Sequence, residues 1–298
     1  MDVESTWYVG LVGFEVQLKA YADRVDARLG DLLPPEDERP GPLHAAMRYS
    51  GLAPGKRLRP ALLLASATAC GGDPENVLDA ACAVEMVHAF SLIHDDLPAI
   101  DNDDLRRGRP TCHVVYGEAV AILAGDSLFA LAFEILANGP WEQRALAISL
   151  VSRASLDLVR GETQDILSEG QPIDAEGLAF IHRNKTGALI AAACEIGALL
   201  ASGDTHRAAL RLYGQRVGLA FQIVDDVLNE TSTPETLGKA AGSDRDRGKA
   251  TYPALFGLDK SREAARDAVE EAVKSLEGLP GDSDVLRELA RFTVERLY

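Results

Sequence analysis

Residues 84–104 read Val84-Glu85-Met86-Val87-His88-Ala89-Phe90-Ser91-Leu92-Ile93-His94-Asp95-Asp96-Leu97-Pro98-Ala99-Ile100-Asp101-Asn102-Asp103-Asp104. The approach, Val84 to Ile93, is largely apolar and helical in pattern. Five carboxylates then fall within ten residues: Asp95, Asp96, Asp101, Asp103 and Asp104. Carboxylates that close repel one another, and at the C-terminal end of a helix they also oppose the macrodipole. A solvated acidic loop is the bland alternative, but such loops are seldom led in by an apolar helix. The arrangement calls for a compensating cation.

A second stretch repeats the theme: Phe221-Gln222-Ile223-Val224-Asp225-Asp226-Val227-Leu228-Asn229. Asp225 and Asn229 are four apart and share a helix face, and Gln222, three before Asp225, joins them. One buried Asp pair is ordinarily structural. Two pairs, each projecting from an apolar helix, suggest a shared site for a hard cation. Oxygen ligands suit Mg²⁺, which usually keeps several waters and bridges to phosphate.

Cations follow the same rhythm. Lys56, Arg57 and Arg59 form one cluster; Arg106, Arg107 and Arg109 follow the first acidic motif; Lys239, Arg245, Arg247 and Lys249 follow the second. Arg binds phosphate through paired donors and Lys as a point charge. Each acidic motif is thus trailed by a basic one, as a metal-plus-cation clamp on diphosphate requires. Between them Lys185-Thr186-Gly187 interrupts a small-residue helix, which by itself is weak evidence.

The rest of the chain frames these motifs. Of 298 residues 47% are hydrophobic and only 6% aromatic, and Ala and Leu dominate, a composition that favours helix. Helices are expected over 10–32, 74–92, 119–137, 141–168, 174–201, 205–230, 261–275 and 283–297, with weak strand signals. No repeat or long linker divides the chain, so the reading is one all-α domain over 1–298. A net charge of −16 argues against nucleic acid as a partner. Cys70, Cys82, Cys112 and Cys194 show neither CxxC nor zinc spacing and are expected as reduced thiols of a cytoplasmic protein. Met1-Asp2-Val3-Glu4 does not open a signal peptide. No apolar run reaches ~18 uninterrupted residues, so no membrane span is expected.

The ordered set resembles the trans-polyprenyl diphosphate synthase family, and within it the bacterial farnesyl diphosphate synthases. The match is carried by Gly55-Lys56-Arg57-Leu58-Arg59-Pro60, the run His94 to Gly108, Lys185-Thr186-Gly187, Phe221 to Asp226, and Gly248-Lys249-Ala250-Thr251-Tyr252-Pro253. The resemblance implies an antiparallel helical bundle around a large central cavity, working as a homodimer. It implies head-to-tail condensation of isopentenyl diphosphate with an allylic diphosphate (dimethylallyl or geranyl), assisted by three Mg²⁺ ions. Asp95, Asp101 and Asp225 would be the principal metal ligands, with Asp96 and Asp226 assisting. Lys56, Arg59, His88 and Arg107 would hold isopentenyl diphosphate. Arg106, Lys185, Lys239 and Lys249 would hold the allylic diphosphate, with Thr186 and Gln222 beside the reacting carbons.

Two places depart from the family pattern. Asn229 stands where a third Asp is usual, and Gly161-Glu162-Thr163-Gln164-Asp165 differs from the usual Gly-Gln run. Product length is expected to depend on Phe90, five residues before Asp95 and so roughly 7.5 Å down the helix, with Ser91 and Met86 near it. An aromatic floor there points to farnesyl diphosphate; the alternatives are geranylgeranyl or geranyl diphosphate. Rival functions are a class I terpene cyclase, which lacks need of a second diphosphate clamp, and a non-catalytic subunit of a heteromeric synthase, which should have lost Asp-motif carboxylates.

Overall fold

Helices that are apolar around their whole circumference must lie inside a protein, and two such helices set the architecture. α3 (Leu58–Ala69) is buried almost throughout, and α9 (Ala188–Ser202) is buried without a break from Leu189 to Leu199. They pack on each other at the centre of the computed structural model, which describes residues 3–231 and 251–295. α4 (Leu78–Asp95) packs beside α3 and against α6 (Glu118–Asn138). α10 (Arg207–Thr231) lies on the other side of α9 and against α12 (Leu258–Ser275). The bundle is completed by α1 (Val3–Leu32), α2 (Gly41–Gly51), α5 (Cys112–Tyr116), α7 (Arg144–Ser168), α8 (Ala175–Ile181), α11 (Tyr252–Phe256) and α13 (Asp284–Glu295).

Small residues let the central helices approach. A Cβ on Gly197 of α9 would press on the Leu63 carbonyl of α3, and one on Gly214 of α10 would meet Ala191 and Cys194 of α9. The fully buried Tyr213 satisfies its hydroxyl by donating to Leu286 O at 2.7 Å. All four cysteines are buried and unpaired with one another.

The all-α expectation is met. The described sheet is a two-residue antiparallel hairpin, β1 (Leu105–Arg106) with β2 (Arg109–Pro110), Arg106 opposite Arg109. The helix expected over 174–201 is broken: between α8 and α9 the chain makes a π-helical turn, His182–Gly187. The expected start at Pro74 is a 3₁₀ turn, Pro74–Val77, leading into α4. Lys239, Arg245, Arg247 and Lys249 lie outside the described residues.

The expectation about membrane-spanning length is corrected. Three helical stretches, Pro74–Asp95, Glu118–Asn138 and Ala175–Ser202, are long and apolar enough to cross a membrane by length and composition. The sequence reading demanded an unbroken apolar run, whereas a helix with a few polar residues keeps a high mean hydropathy. In the first and third, 67% of the most apolar window is buried inside the bundle, but only 33% in α6.

The α3–α9 crossing yields a test. Gly197→Ala forces a methyl against the Leu63 backbone and Ser66 Cβ, and overpacking of this kind costs about 1–3 kcal/mol. Thermal unfolding should show a Tm lowered by several degrees; an unchanged Tm would mean the helices part freely there.

Candidate active site

α4 ends at Asp95, leaving its last carbonyls to be satisfied by other groups. The acidic loop does this by folding back: Asp101 N donates to Asp95 O at 2.9 Å and Asp103 N to Asp96 O at 3.2 Å. Asp96 is buried, and both its oxygens receive Arg106, whose Nε lies 2.8 and 2.9 Å away and whose Nη2 is 2.6 Å from Oδ1. Burial raises the Asp96 carboxyl despite that partner. The sequence-predicted assisting ligand is therefore held by an arginine on β1. Burial also drives Asp95 up, reinforced by the charge of Glu162 and, more weakly, Asp101, to about 7.

The π-helical turn delivers Lys185 to this end of the bundle. Gly161 of α7 permits it, because a Cβ there would collide with the Lys185 backbone. Lys185 Nζ then lies 2.7 Å from Glu162 Oε2 and 2.7 Å from Asp165 Oδ2, both on α7. Burial opposes its charge, but Asp165 and Glu162 hold its pKa above the ordinary lysine value. Its charge in turn acts on Asp95.

The same turn reaches the second acidic motif. His182 Nε2 is 3.3 Å from Asp226 Oδ2 on α10, which also accepts the Tyr252 backbone N–H at 2.7 Å. The His182 ring stacks toward Tyr252, 15° from parallel. His182–Gly187 thus links α10, through His182, to α7, through Lys185. Thr186 in that turn and Gln222 on α10 are both half-buried.

On the far side of Asp96 lies a cavity of about 100 Å³ whose lining includes Arg57, Glu85, His88, Asp96, Arg106 and Arg107. Burial, together with Arg59, Arg107 and Arg106, pushes His88 well below the usual histidine range, leaving it neutral. Burial also lowers Arg59, whose Nε has no protein partner. Arg107 has positive φ (53°) and donates to Pro54 O at 2.6 Å, passing a Gly55 whose Cβ would obstruct it. Arg109 covers the Tyr49 ring at 4.7 Å, and the Tyr49 hydroxyl donates to Pro110 O at 2.7 Å. Lys56 is exposed beside Arg57.

Down α4 from Asp95, Phe90 meets Phe129 of α6 at 4.8 Å between ring centroids and His94 at 5.1 Å, and Phe129 continues to Phe133 at 4.9 Å. Ser91 is buried and donates to His88 O at 2.9 Å. Met86 is fully buried. Glu162, Asp165, His182 and Tyr49 were not named as site residues from the sequence. The Gly161–Asp165 departure was the one signal, and it pointed to the right helix.

An oxygen-rich donor set and a carboxyl raised to about 7 by burial and the neighbouring Glu162 fit a hard cation. Among the described residues no three carboxylate, His or Cys side chains stand together as a ready-made ion site.

Comparisons with known proteins agree with this geometry. Residues 41–288 match the polyprenyl synthetase family. The farnesyl diphosphate synthase of Escherichia coli K12 is 44% identical over 297 residues, covering 95% of this chain and 99% of that one. A heterodimeric geranylgeranyl pyrophosphate synthase large subunit of Arabidopsis thaliana is 44% identical over 280 residues, 90% of this chain and 73% of that one. Among solved structures, geranylgeranyl pyrophosphate synthetase from Pyrococcus horikoshii superposes with a TM-score of 0.88 at 33% identity, over 96% of this chain and 99% of that one.

The raised Asp95 carboxyl makes stability pH-dependent. The folded, metal-free protein keeps that proton up to about 7, whereas an unfolded carboxyl releases it at ordinary acidic pH. Folded protein therefore binds more protons in between, and stability falls as pH rises through that interval. Unfolding in EDTA across this range should show the decline, and Asp95→Asn should flatten it. Calorimetric Mg²⁺ affinity should climb with pH and level off near 7.

Proposed function

The chain belongs to the polyprenyl synthetase family and is a prenyltransferase that elongates prenyl chains, and we propose that it makes farnesyl diphosphate from isopentenyl diphosphate and dimethylallyl or geranyl diphosphate. The observation that carries a two-substrate reaction is the separation of two cationic groups on either side of Asp96. Arg107 and His88 line the cavity, with the charge of Arg59 acting on His88, while Lys185 lies with the carboxylates of α7. A terpene cyclase, with one diphosphate to hold, needs only one of them.

In this reading Arg106, Lys185 and, from the undescribed segment, Lys239 and Lys249 hold the allylic diphosphate. Lys56, Arg59, Arg107 and neutral His88 hold that of isopentenyl diphosphate. Asp95, Asp101 and Asp225 would hold Mg²⁺, with Asp96 and Asp226 outside the direct ligand set because Arg106 and His182 engage them. Bound magnesium supplies charge neutralisation on the leaving diphosphate. The chain's cations share that load as the allylic C–O bond breaks. The apolar wall of α4 and α6 keeps water from the allylic cation. The isopentenyl double bond attacks its C1, with Thr186 and Gln222 alongside, and the released diphosphate takes the proton lost in forming the new double bond.

Phe90, backed by Phe129 and Phe133, supports a floor that stops growth at C15. A main core whose members run from Phe14 to Ala290, with a small cluster of Ile223, Val224, Val227 and Ala265 beside it, supports a single domain over 1–298. Ile122 and Leu123 on α6 and Leu156 and Val159 on α7 are exposed large apolar side chains; a second copy covering them supports a homodimer. That cover, with the acidic surface, supports a cytoplasmic enzyme.

The direct test is an assay of the purified protein with Mg²⁺, isopentenyl diphosphate and each allylic starter, products read by mass spectrometry. C15 should dominate, and no condensation with any starter would overturn the reading. Phe90→Ala should lengthen the product; an unchanged profile would defeat the floor. Asp95→Asn should lower kcat by at least about 10². Leu123→Arg should shift the sedimenting species from dimer to monomer.

A further inference from the structure

Arg57 sits among the cationic residues of the cavity yet is not arranged to bind an anion. Its side chain is 3% exposed, and each of its three nitrogens donates into the protein. Nε donates to Asp26 Oδ1 on α1 at 2.6 Å, Nη1 to Glu85 Oε1 on α4 at 2.9 Å, and Nη2 to Ala53 O at 2.9 Å. Its backbone has φ 46° and ψ 41° at the start of α3. That left-handed conformation is unfavourable for a residue with a side chain and persists where the surroundings over-determine it. Here three separate stretches of chain do so.

The neighbours show what the conformation accomplishes. The left-handed turn at Arg57 lies between Lys56 and Arg59 at the entry to α3. Glu85 is three residues before His88, so the helix face that anchors Arg57 also carries the imidazole at the cavity wall. Of the two carboxylates lining the cavity, Asp96 is engaged by Arg106. Glu85 is the counter-charge for the other side, and its Oε2 has no hydrogen-bond partner.

We propose that Arg57 and Glu85 are the positioning pair of the isopentenyl diphosphate subsite: Glu85 fixes the Arg57 guanidinium, and Arg57 fixes the turn that aims Lys56 and Arg59 at the diphosphate. The assignment of the subsite rests on the function proposed above; the positioning role is this chain's geometry. Arg57 has all three nitrogens engaged by the protein, so in this proposal the pair acts through Lys56 and Arg59. The allylic subsite, built on Arg106 and Lys185, has no part in the network.

Arg57→Lys keeps the charge and removes the forked donor. The expected result is a KM for isopentenyl diphosphate raised about tenfold or more, since small misplacements of binding groups are costly. The KM for geranyl diphosphate should stay within about twofold and the circular dichroism spectrum should be unchanged. Glu85→Asp, which keeps charge but shortens reach, should give the same selective rise. If both KM values move together, if neither moves, or if both variants lose their helical signal, the pair is ordinary structure and the proposal fails. Wild-type protein inactive with every starter would instead sink the proposed function, which keeps the two failures apart.

Discussion

The arrangement depends on keeping buried carboxylates of like charge together in one bundle end. Asp95, Glu162 and Asp165 are all acidic, and Asp95 is pushed to about 7 by burial and by Glu162. Lys185, 2.7 Å from both α7 carboxylates, offsets part of that repulsion. It reaches them only because the chain widens into a π-helical turn at His182–Gly187 and because Gly161 has no Cβ to block it. A regular α-helix through 174–201 would carry Lys185 around the axis by a different angle and leave the α7 carboxylates without it.

The same economy shapes the cationic side. Asp96, Arg106, Glu85 and Arg57 are pairs in which a buried charge is held by its opposite. Removing one partner of such a pair leaves the other charge buried alone, which is strongly destabilising. The Arg57–Glu85 pair therefore acts as fixed scaffolding, while Arg59 and His88, with fewer partners, are left to meet an anion. Arginines two apart in sequence so take different tasks: Arg57 spends its donors within the protein, and the Nε of Arg59 has no protein partner.

Much of this was legible in the residues themselves. The apolar approach to Asp95, the spacing of Gln222, Asp225 and Asn229, and the basic clusters trailing each acidic motif led to an all-α fold and a metal-and-diphosphate chemistry. Most helix limits fell within a few residues. Less legible was the membrane-like hydropathy of α4, α6 and the stretch ending in α9, because averages over a helix tolerate scattered polar groups that break an unbroken run. The hairpin at Leu105–Pro110 escaped because strands of two residues have no periodicity to read.

What the sequence determined by itself is the inventory: which residues are helical, which are charged, and in what order they recur, since period and composition are local properties. What tertiary structure alone decided is which charge meets which. Asp96 and Asp226 carry the same side chain as Asp95 and Asp225, yet packing brings an arginine to one and a histidine with a backbone amide to the other. Glu162 and Asp165 become partners of Lys185 through contacts between elements some twenty residues apart. Electrostatic energy depends on distance and burial, and neither is fixed until the helices have packed.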